Sequence, residues 1–129
     1  MNHSGQSVRA VLDYYKIPAQ NVLVAYDDLD LPPGAARLKS GGGHGGHNGL
    51  RDIFRHLQDP GFLRLRIGIG HPGLREQVTP YVLSRPRMDE QVRIDRALDA
   101  AEEVMDLVLD DELIKAQTRL HTGTKEFEQ

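Results

Sequence analysis

A chain of 129 residues holds one domain with a single core, and its 39% apolar and 27% charged residues are the balance of a folded soluble protein, not a disordered one. The absence of cysteine excludes disulfides and thiolate metal sites, and no stretch approaches the roughly 20 apolar residues that a membrane span needs. The N-terminus, Met1-Asn2-His3-Ser4-Gly5, has neither a basic nor an apolar leader region, so the cytoplasm is the expected compartment.

Residues 4–16 place Val8, Val11, Leu12 and Tyr15 on one face at helical spacing, and Pro18 stops the pattern. Residues 22–26 are a short apolar, β-branched run that predicts a strand buried on both faces of a parallel sheet. Asp27 and Asp28 end it. Asp30-Leu31-Pro32-Pro33-Gly34 is turn chemistry, because proline fixes φ and glycine accepts a positive value. Residues 36–39 read as a short strand.

From Gly41 to Gly49 six of nine residues are glycine, which predicts irregular backbone held by its surroundings. A helix over residues 50–57 follows, with Leu50, Ile53, Phe54 and Leu57 inward. Residues 64–70 alternate as a strand with one buried face. His71-Pro72-Gly73 turns the chain. Residues 78–83 predict a short helix capped by Thr79 with Pro80 at its first position, placed as a mobile lid. Residues 88–109 read as one long amphipathic helix and residues 111–121 as another. Strands alternating with helices argue an α/β three-layer arrangement, although three strands make a sparse sheet.

The net charge of −3 argues against a nucleic-acid binder only if charge is evenly spread. It is not: residues 37–66 carry Arg37, Lys39, Arg51, Arg55, Arg64 and Arg66 against Asp52 and Asp59, while residues 87–112 are strongly acidic. One segment is suited to a polyanion and the other to solvent.

Glycine loses more backbone entropy on folding than any other residue, so the 41–49 loop calls for a use, with His44, His47 and Asn48 as its polar groups. A metal site at His44 and His47 is disfavoured, because the intervening glycines oppose a helix and no third ligand accompanies them. No Lys-Ser or Lys-Thr follows to make a phosphate-binding P-loop, and no dinucleotide fingerprint is present. Asp27, Asp28 and Asp30 stand at a strand's carboxyl end, where α/β folds place their sites; one could orient a base, or they could cap the following turn. Asn2 and Asn48 each precede a helix, as N-caps or as amides that donate to an oxyanion.

Three stretches converge on one family: Met1-Asn2-His3-Ser4-Gly5, the run Tyr26-Asp27-Asp28-Leu29-Asp30-Leu31-Pro32-Pro33-Gly34, and the glycine loop with Arg64-Leu65-Arg66-Ile67-Gly68-Ile69-Gly70-His71-Pro72-Gly73. The chain resembles bacterial-type peptidyl-tRNA hydrolases from Asn2 to about His121. The resemblance implies a three-layer α/β/α fold with a mixed sheet, here incomplete because the N-terminal strands are absent. Residues 1–129 are then a single domain, the C-terminal two-thirds of the family's fold. It also implies hydrolysis of the ester between peptide and tRNA, without metal or organic cofactor, by an enzyme that acts as a monomer, with peptidyl-tRNA as partner and no membrane.

By the same resemblance Asp27 orients the catalytic histidine, and Asn2, His47 and Asn48 bind substrate. Lys39 and Arg66 clamp a tRNA phosphate, and residues 78–83 form the lid. The family's water-activating histidine belongs upstream of Asn2, and none of the six histidines here matches it, so weak activity or none is expected of this chain. The alternatives are a non-catalytic RNA-binding module of the same fold, and a phosphate- or metabolite-binding α/β domain.

Overall fold

The computed structural model describes residues 4–43, 47–58, 61–73 and 78–125. The first helix, α1, is Ser4–Tyr15; of its expected inward face Leu12 is buried and Val8 half-buried, but Val11 and Tyr15 are exposed, because the face it packs on α2 is narrower than the stripe. It ends where Lys16 turns left-handed at φ 55° and Ile17 N–H closes on the Leu12 carbonyl. After a 3-10 turn at Ala19–Asn21 come β1, Leu23–Asp28, and β2, Ala36–Ser40. Between them Ala35 N–H reaches the Pro32 carbonyl at 3.1 Å with Gly34 at φ 103°, the positive value expected of its glycine.

The second helix, α2, runs Asn48–Leu57, two residues earlier than its apolar periodicity begins, because the residue that caps it is His47. Then follow β3, Leu63–Gly68, and α3, Val78–Leu83. Thr79 is therefore inside the helix it was expected to cap.

The expected long helix is two: α4, Met88–Glu103, and α5, Met105–Leu109. Neither glycine nor proline marks the break. At it Val104, 1% exposed, leaves the α-helical ladder and donates to the Ala101 carbonyl, and the chain gains a buried side chain by turning there. The last helix, α6, is Leu113–Gly123, entered through Asp111 at φ 61°.

The three strands form one sheet in the order β1-β3-β2. Leu63 N–H donates to Val22 and Ile69 N–H to Asp28, so β1 and β3 are parallel. Gly41 N–H donates to Phe62 and Gly68 N–H to Ala35, so β2 runs antiparallel to β3. The fold is α/β with a mixed sheet. Two burial expectations change with this order. β1, expected to be covered on both faces, is only half-buried and leaves Ala25 exposed, because it is an edge of the described sheet. β3, expected to bury one face, buries residues of both, because it is the centre.

The chain divides into two compact units, Met1–Tyr26 with Lys39–Leu65, and Asp27–Leu38 with Arg66–Gln129. In the first, Leu12 of α1 meets Leu50, Ile53 and Leu57 of α2 and Phe62. The amino end of α1 is fixed by Asp52, a 7% exposed carboxylate on α2 whose Oδ2 accepts from Gly5 N–H at 2.7 Å. A Cβ on Gly5 would lie 2.2 Å from the Asp52 carbonyl oxygen, so only glycine permits this approach. In the second unit, α6 serves the outer side of β2. His121 Nε2 accepts from Leu38 N–H at 3.1 Å, and Gln117 donates to the Leu38 carbonyl at 3.0 Å. These side chains satisfy an edge-strand residue that would otherwise offer its backbone to another chain.

Candidate functional site

Asp27 and Asp28 sit side by side at the carboxyl end of β1, so their side chains take opposite faces of the strand. Asp28 is structural: its Oδ1 accepts from Asp30 N–H at 2.8 Å, and its Oδ2 from Arg66 Nε at 2.7 Å. The turn-capping role is therefore filled by Asp28. Asp27 instead lines a half-open cavity of about 730 Å³, with Ile69, His71, Tyr81, Arg85 and Glu90 among the other walls.

The short helix expected as a lid, α3, contributes Tyr81 and Val82 to this cavity. Tyr81 is a latch, its hydroxyl donating to the Ile69 carbonyl just beyond β3. Burial first, and then the charge of Glu90, push its phenol above the ordinary 10.0, against a smaller opposing effect of Arg87. His71 is exposed; its Nδ1 accepts from Gly73 N–H at 2.9 Å, which leaves Nε2 to carry the proton.

In the other unit, His47 has an extended backbone and its Nδ1 accepts from Leu50 N–H at 3.0 Å. It is the N-cap of α2, a role the sequence reading had offered to Asn48, and this bond puts the ring proton on Nε2. The ring meets Tyr26 edge-on at 5.2 Å between centroids. Asn48 is the first helical residue and is exposed. Lys39 is exposed at the end of β2, and its side chain lies over Gly42, where an added Cβ would come within 2.7 Å of Nζ. Asn2, His3 and His44 lie outside the described residues.

The basic segment is less open to a polyanion than its count implied. Arg64 is buried, Arg66 is paired with Asp28, and Arg37 donates to the Ala36 carbonyl and to Thr124. Lys39, Arg51 and Arg55 remain exposed, Arg55 reaching Asp52 at 3.4 Å. Sequence reasoning missed Asp52, Arg64, Tyr81 and His71. The available signal was slight, an acid on the inward side of an amphipathic helix; Arg64 gave none, because the alternation of β3 puts Leu65, Ile67 and Ile69 inward and Arg64 on the other face. Among the described residues no group of three His, Cys, Asp or Glu could hold a metal ion, and no helix is long and apolar enough to cross a membrane.

A carboxylate at the carboxyl end of a parallel strand, in the wall of a cavity bordered by a short latched helix, is the place where α/β proteins as a class hold their ligands. The family model described as peptidyl-tRNA hydrolase matches residues 1–128. The chain is 54% identical to a peptidyl-tRNA hydrolase of Halorhodospira halophila over 121 residues, covering 94% of this chain and 62% of that one. It is 53% identical to one of Methylobacillus flagellatus, covering 97% and 65%. The crystal structure of the enzyme from Acinetobacter baumannii superposes with a TM-score of 0.91 at 47% identity, over 94% of this chain and 61% of that one. The chain belongs to the peptidyl-tRNA hydrolase family, of the bacterial type. It spans less than two thirds of the length of these relatives. The expected absence of an upstream segment is not borne out by these matches, which give lengths and not ends.

Proposed function

We propose that this chain serves the hydrolysis of the ester joining a peptide to tRNA, in the cytoplasm, the complete family member acting as a monomer. The observation that carries the reading is Asp27 at the carboxyl end of β1, its carboxylate in the wall of the cavity. A carboxylate there accepts from an imidazole N–H, holds one tautomer and stabilises the cation formed when the ring takes a proton from water. The Asn48 amide donates to the ester carbonyl as it gains negative charge and accepts from the substrate backbone. His47 shapes the cleft for the peptide, and Asn2 contacts it. Lys39 and Arg66 each take a phosphate oxygen of the tRNA; Arg66, already on Asp28, offers its remaining guanidinium donors.

None of the six histidines stands where the family resemblance puts the base. A general base contributes about 10²- to 10⁴-fold, so this chain by itself is expected to bind peptidyl-tRNA and to hydrolyse it weakly or not at all. The test is turnover of N-acetylphenylalanyl-tRNA by this chain beside a form extended upstream with the family's N-terminal segment. Cleavage by the extended form alone supports the assignment. Comparable turnover by the short form overturns the missing-base argument, and binding without cleavage by either favours a non-catalytic RNA-binding module.

A further inference from the structure

Arg64 is a cation placed inside the core of its unit, 1% exposed on the central strand β3. Its guanidinium carbon lies 4.6 Å from the ring centroids of both Phe54 and Phe62, and a terminal nitrogen donates to the Gly43 carbonyl. Burying a guanidinium is unfavourable, and an apolar side chain of similar length would fill the same slot without that penalty. The charge therefore calls for a use.

The use visible around it is the glycine loop. Gly43 belongs to the run that leaves β2, and the same loop ends at His47, which caps α2 and meets Tyr26. Phe54, one wall of the guanidinium slot, is on α2 as well. Backbone bonding alone ties the loop's start, through Gly41 N–H to the Phe62 carbonyl at 3.2 Å. One residue further along than Gly42, the carbonyl of Gly43 is held by a planar guanidinium packed against two aromatic rings.

We propose that Arg64 is a positioning residue: bonded to the Gly43 carbonyl and packed on Phe54 of α2, it fixes Gly43 against the helix whose amino end offers His47 and Asn48 to the peptide end of the substrate. The ligand in this statement rests on the peptidyl-tRNA reading; the loop mechanics do not. A lysine keeps the charge but not the planar fork, so it satisfies the slot in part, and a methionine fills it with neither.

The test compares the full chain with Arg64→Met, Arg64→Lys and Arg119→Met, the last a control because it removes an exposed arginine of α6, in the other unit. Three quantities are measured on each: amide exchange across residues 41–49, unfolding in urea, and affinity for N-acetylphenylalanyl-tRNA. Arg64→Met is expected to speed loop exchange and weaken binding by about tenfold to a hundredfold, as misplaced binding groups do, with cooperative unfolding retained. Lysine restores part of both, and Arg119→Met changes neither. Loop exchange and binding equal to wild type in a folded Arg64→Met chain overturn the proposal. Where the methionine variant does not fold, Arg64→Lys decides: intermediate loop exchange supports the role and unaltered exchange overturns it. A wild-type chain that does not bind the acylated tRNA removes the substrate reading instead, and loop exchange then decides the role of Arg64 by itself.

Discussion

His47 has two roles that chemistry can separate. As the N-cap of α2 it accepts from Leu50 N–H with a ring nitrogen, and in the proposed function it presents the rest of the imidazole to the peptide. Replacing a cap by alanine costs about 1 kcal/mol, whereas asparagine is among the best N-caps. His47→Ala is therefore expected to lower stability in urea by about 1 kcal/mol, and His47→Asn to restore it without restoring affinity for peptidyl-tRNA. Equal stability of all three chains would mean the cap contributes nothing. Arg64 shows the converse at one position: a residue counted among polyanion-facing bases is a buried cation against two adjoining phenyl rings. Burial drives its guanidinium down from the ordinary value, against a smaller rise from Tyr26.

The short helix α3 has six residues, too few to be stable from its own hydrogen bonds, so tertiary contacts must hold it. Tyr81 supplies one through the Ile69 carbonyl. Because its phenol is raised above 10.0, the folded chain keeps a proton that the unfolded chain has lost. The stabilisation is therefore complete below about pH 10 and disappears as pH rises through the folded value. Urea unfolding between about pH 8 and pH 11 is expected to show an alkaline decline that Tyr81→Phe makes shallower, with the phenylalanine chain about 1 kcal/mol less stable at neutral pH. An identical decline in both chains would remove the latch. At the same scale α6 protects β2 through Gln117 and His121, a function its amphipathic pattern did not announce, since periodicity reports the buried face and not its partner.

For the whole molecule the proposed substrate is a polyanion, whereas the chain carries a net charge of −3. The acids concentrate in residues 87–112, and after Arg64 and Arg66 are engaged the bases left exposed in residues 37–66 are few. Each phosphate contact then matters to the salt dependence. Lys39→Ala is expected to weaken binding of all tRNAs about equally and to reduce the slope of log affinity against log salt by about 1, measured by titration across salt concentrations. An unaltered slope would take Lys39 out of the phosphate contact.

Local chemistry sufficed for much of this. The extent of α1, the stripe of α2, the Pro33-Gly34 turn with its positive φ, and the position of Asp27 after an apolar strand are written within a few consecutive residues, where helical period, proline and glycine act. The motif residues of the family were equally legible. Tertiary structure decided which charges are buried, which edges are covered and where α4 breaks. Arg64 meets Gly43 across 21 positions, Gly5 meets Asp52 across 47, and Leu38 meets His121 across 83. Whether a side chain ends in water or in a packed slot depends on partners brought from that far along the chain, and no local pattern encodes that distance.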